Sequence, residues 1–139
     1  MKHYLEASQE SGKEFYMNFQ QKGKVTMLNL LKFRPVADYS EFDTIRPNER
    51  ISGREAYDRY MECTLPHLTE AGGRVIFFGD SKHFLIGPDS ESWDAVLLVE
   101  HQSVEAFMAF AQNKEYLKTA DHRTAALLDS RLLPISERS

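Results

Sequence analysis

The sequence predicts an α+β fold in which four antiparallel strands and two helical segments follow one another as β-α-β-β-α-β, with one short helix in front. Three observations predict it. The runs 24–33 and 93–101 alternate side chains as strands do. The stretches 52–71 and 103–128 carry apolar residues at helical spacing. Turn residues separate them, most clearly Gly72-Gly73 and the segment from Pro88 to Ser92.

Taken in order, the first ten residues read as loosely ordered, and 11–21 as a helix with Ser11 and Glu14 as a capping box, Phe15 and Phe19 one turn apart, and Gly23 as its stop. Residues 24–33 form the first strand, with Val25, Met27, Asn29, Leu31 and Phe33 on one face and Thr26, Leu28, Leu30 and Lys32 on the other. Residues 34–51 are polar, contain Pro35 and Pro47, and make a connection longer than a compact domain needs; they are expected to border any pocket as a lid. The main helix spans 52–71, opens with a second capping box (Ser52, Glu55) and carries the stripe Ala56, Tyr57, Tyr60, Met61, Leu65, Leu68, with a kink expected at Pro66. Residues 74–79 and 82–87 are strand-like with a break between them. Residues 93–101 form the clearest strand, Ser103 caps a helix that Asn113 interrupts and that resumes through Leu128, and 131–135 is a last short strand. The expected organisation is an extension over 1–23 and a folded domain over 24–139.

Composition bounds the function. The chain has 139 residues, 42% apolar and 27% charged, ordinary for a globular protein and enough for a core without disulfides or structural metal. Lys plus Arg number 17 against 21 Asp plus Glu, a net charge of −4, and no basic cluster stands out, which argues against nucleic acid as a partner. No run has the length of a membrane span, and Met1 to Glu10 lacks the apolar centre of a secretory signal. Cys63 is the only cysteine, consistent with a reducing cytoplasm.

The strands 25–33 and 93–101 are apolar on both faces. In a β-α-β-β-α-β unit both helices lie on one face, so the other needs a cover, and a second copy of the sheet is the expected one. The alternative is a monomer with the front helix folded underneath.

Further motifs carry a family resemblance: Asn29-Leu30-Leu31-Lys32-Phe33; Gly53-Arg54-Glu55-Ala56-Tyr57 with Tyr60; Gly72-Gly73 before a strand; Trp93-Asp94 opening another; and Ser103-Val104-Glu105-Ala106-Phe107 followed by Tyr116 and Arg123. In this order the chain resembles the DUF1330 family of the dimeric α/β-barrel superfamily, over about 25–135. The resemblance implies a ferredoxin-like protomer whose sheet packs on that of a second copy. That superfamily includes cofactor-free monooxygenases, lactone isomerases and haem enzymes; the family itself implies a fold and no mechanism. His101-Gln102, where an apolar-proline pair is expected, and the long segment 34–51 depart from the pattern.

Candidate chemistry is sparse. Asn29, mid-strand, either orients a substrate carbonyl or satisfies a neighbouring backbone. Among His3, His67, His83, His101 and His122 no pair has metal-ligand spacing, so neither metal nor other cofactor is expected. His67, beside Pro66, and His101, ending a strand, are the candidate general bases, though a lone histidine is more often structural. Tyr60 on the helix stripe, Arg74 at a strand start and Arg123 in the last helix are candidate substrate-binding groups, weighed against core packing for the tyrosine and ion pairing for the arginines. Nucleophile-elbow, phosphate-loop and paired-cysteine motifs are absent from the sequence. Two functions follow: a cofactor-free enzyme that oxygenates or moves a proton on a small organic molecule, or a non-catalytic module that binds a small molecule or a protein.

Overall fold

The computed structural model describes residues 2–138. Its elements are helix α1 (Gln9–Phe19), strand β1 (Val25–Phe33), a short 3-10 turn (Asp43–Ile45), helix α2 (Gly53–Glu70), strands β2 (Arg74–Asp80) and β3 (Ala95–His101), helices α3 (Val104–Ala111), α4 (Lys114–Leu117) and α5 (Asp121–Ala126), and strand β4 (Leu127–Ile135). The sheet order is β2-β3-β1-β4 and every pairing is antiparallel. This is the predicted ferredoxin-like α+β arrangement.

Local chemistry explains most boundaries. The Ser52–Glu55 capping box starts α2 as expected, and α2 runs through Pro66 without ending. Gly72, at φ 84°, ends it in the left-handed conformation. Ser103 caps α3 by accepting from the amide of Ala106, and Asn113 interrupts the helix by capping α4 instead. Four expectations need correction. The first helix begins at Gln9 because Ser8, rather than Ser11, accepts the orphan amide. The N-terminal segment is tied down: Tyr4 donates to Asp129 Oδ1 at 2.8 Å, and Leu5 accepts from Arg123 Nη1 at 2.9 Å. The last strand starts at Leu127, inside the stretch read as helix, because Leu127 is pinned opposite Phe33. Residues 82–87 form no strand; one bridge, His83 to Ser92, extends the β2–β3 connection.

Alternation sets two unlike faces. Val25, Met27, Asn29 and Leu31 are buried against the helices. On the other face Leu28 stands between Leu98 and Leu133, and Phe77 stands beyond Leu98. Phe77 is 57% and Leu133 58% exposed, so this row is apolar and uncovered in the single chain. The front helix does not cover it. Phe15 meets Phe107 of α3 edge-on at 5.4 Å, which puts α1 with the other helices and removes the monomeric alternative as it was drawn.

Candidate functional site

Two parts of the fold concentrate polar groups: the aromatic layer between sheet and helices, and the segment 34–52. The first grows from the stripe of α2. Tyr57 and Tyr60 are one turn apart, with ring centroids 5.2 Å from each other. The Tyr60 hydroxyl meets that of Tyr116 at 2.7 Å, and the Tyr116 ring lies 4.5 Å from that of Phe110. Phe110 in turn packs on His101 at 5.5 Å, and Phe107 meets that imidazole edge-on at 5.0 Å. A continuous line of rings therefore runs from β3 to α2.

Burial decides the protonation of this layer. It pushes the hydroxyls of Tyr57 and Tyr116 well above the usual phenol range, against the pull of the Arg123 guanidinium nearby. They remain donors at neutral pH. Burial also lowers His101 to about 4, so its imidazole is neutral, and its Nδ1 has no hydrogen-bond partner. Thr64 Oγ1, on the same helix stripe as Tyr60, is also buried without a partner.

The segment 34–52 is a closed loop. Arg34 donates its amide to Ala126 O at 2.8 Å and accepts from Gly53 N at 3.0 Å, so the loop's two ends touch. Ala37 to Ile51 (3.0 Å) and Asp38 to Ala125 (2.9 Å) repeat the clamp. Gly53 is required here: a Cβ would collide with Arg34 O and stand 2.5 Å from Ala126 O. Inside the loop Tyr39 is buried, and its hydroxyl meets His122 Nδ1 at 2.6 Å. Burial first, then the charge of Arg59, lowers the pKa of His122 against the opposing pull of Asp121. The neutral ring can then accept the tyrosyl proton in a hydrogen bond. Around Tyr39 the segment walls a cleft of about 360 Å³ with Ser40, Arg46, Glu49, Arg50 and Ile51. The segment borders this cleft, as expected, and backbone hydrogen bonds hold its two ends together. A second cleft of about 410 Å³ lies where the N-terminal segment passes Arg34, Thr124 and Leu128.

The sequence-nominated residues divide. Tyr60 joins the tyrosine cluster, and Arg123 reaches it through Tyr57 while also holding Leu5 O. His101 reaches it through Phe110. Asn29 donates to Leu97 O at 3.2 Å and Met27 O at 3.4 Å, so strand backbone already occupies its amide. Arg74 is paired with Glu100 at 3.1 Å on the surface, which holds that carboxyl below its usual range. His67 is half-buried in the last turn of α2. Gln102, the other departure noted in the sequence, donates to Gly72 O at 3.0 Å and so braces the end of α2. The Tyr39–His122 pair escaped sequence reasoning, because 83 residues separate its members and neither belongs to a motif. Among the described residues no group of three or more His, Cys, Asp or Glu is placed to hold a metal ion, and no helix is long and apolar enough to cross a membrane.

Comparisons with known proteins agree on the fold. A family model for a domain of unknown function, DUF1330, matches residues 45–133. Two solved structures of the RPA0582 protein of Rhodopseudomonas palustris, a protein of unknown function, are 32% identical to this chain. One, the methylated protein, aligns over 100% of this chain and 98% of its own length with a TM-score of 0.86; the other aligns over 99% of each with 0.85. A dimeric ferredoxin-like protein of unknown function from Bacteroides fragilis aligns over 86% of this chain and 100% of its own at 12% identity and a TM-score of 0.51. A proposed antibiotic biosynthesis monooxygenase from Caulobacter crescentus aligns over 91% and 99% at 7% identity and a TM-score of 0.54. These last two share the fold. No curated protein matches the chain.

Proposed function

The chain belongs to the DUF1330 family, and from that footing we propose that it is a homodimer that binds a small polar organic molecule in the cleft walled by residues 34–52. One observation carries the reading: an open cleft of about 360 Å³ is lined by one stapled loop that presents Arg46, Arg50 and Glu49 beside Tyr39. A loop whose ends are already joined suits binding, because less of it has to be ordered when a ligand enters. The dimer is supported by the uncovered apolar row on the sheet and by the dimeric ferredoxin-like relative from Bacteroides fragilis. Nothing in the site calls for nucleic acid or a membrane surface, and the cytoplasm is the compartment that suits a lone Cys63.

A second reading, a cofactor-free enzyme acting by oxygenation or proton transfer, is supported by a different observation. The tyrosine layer holds two buried polar atoms without partners, Thr64 Oγ1 and His101 Nδ1, and one protein of the same fold is described as a monooxygenase. In that reading neutral His101 moves the proton, while Tyr60 and Arg123 orient the substrate. The test is native mass spectrometry of the protein purified from its own host. Binding in the loop cleft predicts a retained small molecule whose occupancy falls when Arg50 is replaced by Ala and persists when Thr64 is replaced by Val. Loss of the molecule with Thr64→Val alone moves the site to the tyrosine layer. Chemical change in the released molecule on incubation in air establishes turnover.

A further inference from the structure

We propose that the hairpin between β2 and β3 is an arm that clasps the second copy of this chain. The inference rests on the homodimer reading and specifies a contact that reading does not contain. The arm is built, not loose. Ser81 donates to Asp94 O and Trp93 to Lys82 O, each at 2.9 Å, and His83 bridges Ser92, so backbone hydrogen bonds hold the two sides of the connection together beyond β2 and β3. Phe84 folds its ring onto Gly87, where a Cβ would meet Phe84 Cγ at 2.7 Å, which braces the turn. At its tip Leu85 is 100% and Ile86 92% exposed. Two adjacent large aliphatic side chains held fully in water on an ordered turn have no use within the single chain.

The stem is tied to the open side of the sheet. Lys32, in the same alternating row as Leu28 and Leu30, donates to Ser92 O at 3.2 Å and to Ser92 Oγ at 3.0 Å. Trp93 lays its indole 5.0 Å from the guanidinium of Arg131, the residue opposite Leu30 on β4. The arm thus leaves the sheet on the side that carries Phe77, Leu98, Leu28 and Leu133, beyond the Lys32 and Arg131 end of that row. Size singles out the occupant. Two aliphatic side chains fall far short of the roughly 1,200 Å² that a stable interface buries, so they help only as an extension of a larger one. The sheet face supplies that larger surface, and a two-fold axis would use each arm once, giving two equivalent clasps. Asp89 and Glu91, on the side of the arm that returns from the tip, and the net charge of −4 oppose an anionic membrane surface.

The experiment is equilibrium sedimentation of the full chain and of a Leu85→Asp/Ile86→Asp double variant. Because these side chains touch nothing in their own chain, the variant monomer should fold normally, and circular dichroism checks that it does. The unmodified chain is expected to dimerise, with the double variant's dissociation constant raised on the order of a hundredfold. A Leu85→Ala/Ile86→Ala variant, which adds no charge, should weaken the dimer less, by roughly tenfold. A dimer equally tight in both variants and the unmodified chain overturns the arm and leaves the homodimer standing. A monomeric unmodified chain overturns both. Flotation of the unmodified chain with phosphatidylcholine–phosphatidylglycerol vesicles that the double variant abolishes also overturns the arm, by assigning its tip to lipid.

Discussion

His101 shows what a single side chain can contribute at this site and what it costs. The residue is 2% exposed, its ring packed edge-on against Phe107 and tilted against Phe110, with one nitrogen unpartnered. A histidine lowered to about 4 in the folded chain binds its proton less readily than in the unfolded chain, where it titrates near its ordinary 6.5. The unfolded state therefore holds more protons between these values, and stability falls as pH drops through that window. It is complete above the unfolded value, and roughly 2–3 kcal/mol are lost by pH 4. Denaturant unfolding between pH 4 and 8 should show a shallower slope for His101→Phe than for the unmodified chain, the part that remains coming from His122 and the lowered carboxylates. An unchanged slope would place the acid sensitivity elsewhere. The sequence marked His101 as unusual for its position but left its role open, because neither aromatic partner is visible without the fold.

At the scale of elements, caps and alternation were legible and long-range closure was not. Ser52, Ser103 and Asn113 act within a few residues of where they sit, so their roles follow from spacing alone. The start of β4 was hidden because Ala125, Ala126 and Leu127 suit a helix as well as a strand; the choice is made by Phe33, across the sheet. The loop 34–52 was recognised by length, while its stapling depends on carbonyls of α5 that no local pattern announces. Gly53 is where that stapling is most exposed to test. Replacing it with Ala places a methyl group against the backbone of Arg34 and Ala126, atoms that cannot swing aside. The expected loss is about 1–3 kcal/mol, the usual cost of forcing extra carbon into a packed site. Thermal melting measures it. Gly12, whose Cβ would meet nothing within 4 Å, is the matched control, since Ala there should be neutral or slightly stabilising. Equal melting temperatures for the two variants would mean that the loop ends yield and the cleft is not rigid.

For the whole molecule the decisive property is the difference between the two faces of one sheet. The helix side is sealed by Leu31, Ala56, Tyr57, Leu97 and Leu127, all at most 3% exposed. The other side offers Leu28, Leu98, Phe77 and Leu133 in one row, with Arg74 and Glu100 bordering it at one end and Lys32 and Arg131 at the other. An apolar centre with a charged rim is the anatomy of a protein interface. The need for a cover was readable in the sequence, since both faces of β1 are apolar; that α1 does not supply it became clear only from the fold. Leu28 is the most informative position to change. It lies on a central strand flanked by Leu98 and Leu133, so a charge there enters the middle of the row, while its side chain points away from the core of its own chain. Leu28→Asp should give a folded monomer or an aggregate, with the sedimentation coefficient of the unmodified dimer lost at every attainable concentration. Thr26→Asp, one row toward the rim opposite Glu100 and Ile135, should weaken association less. If Leu28→Asp sediments as a dimer indistinguishable from the unmodified chain, the sheet face is not the interface, and the apolar row must be covered from within the chain or by a different partner.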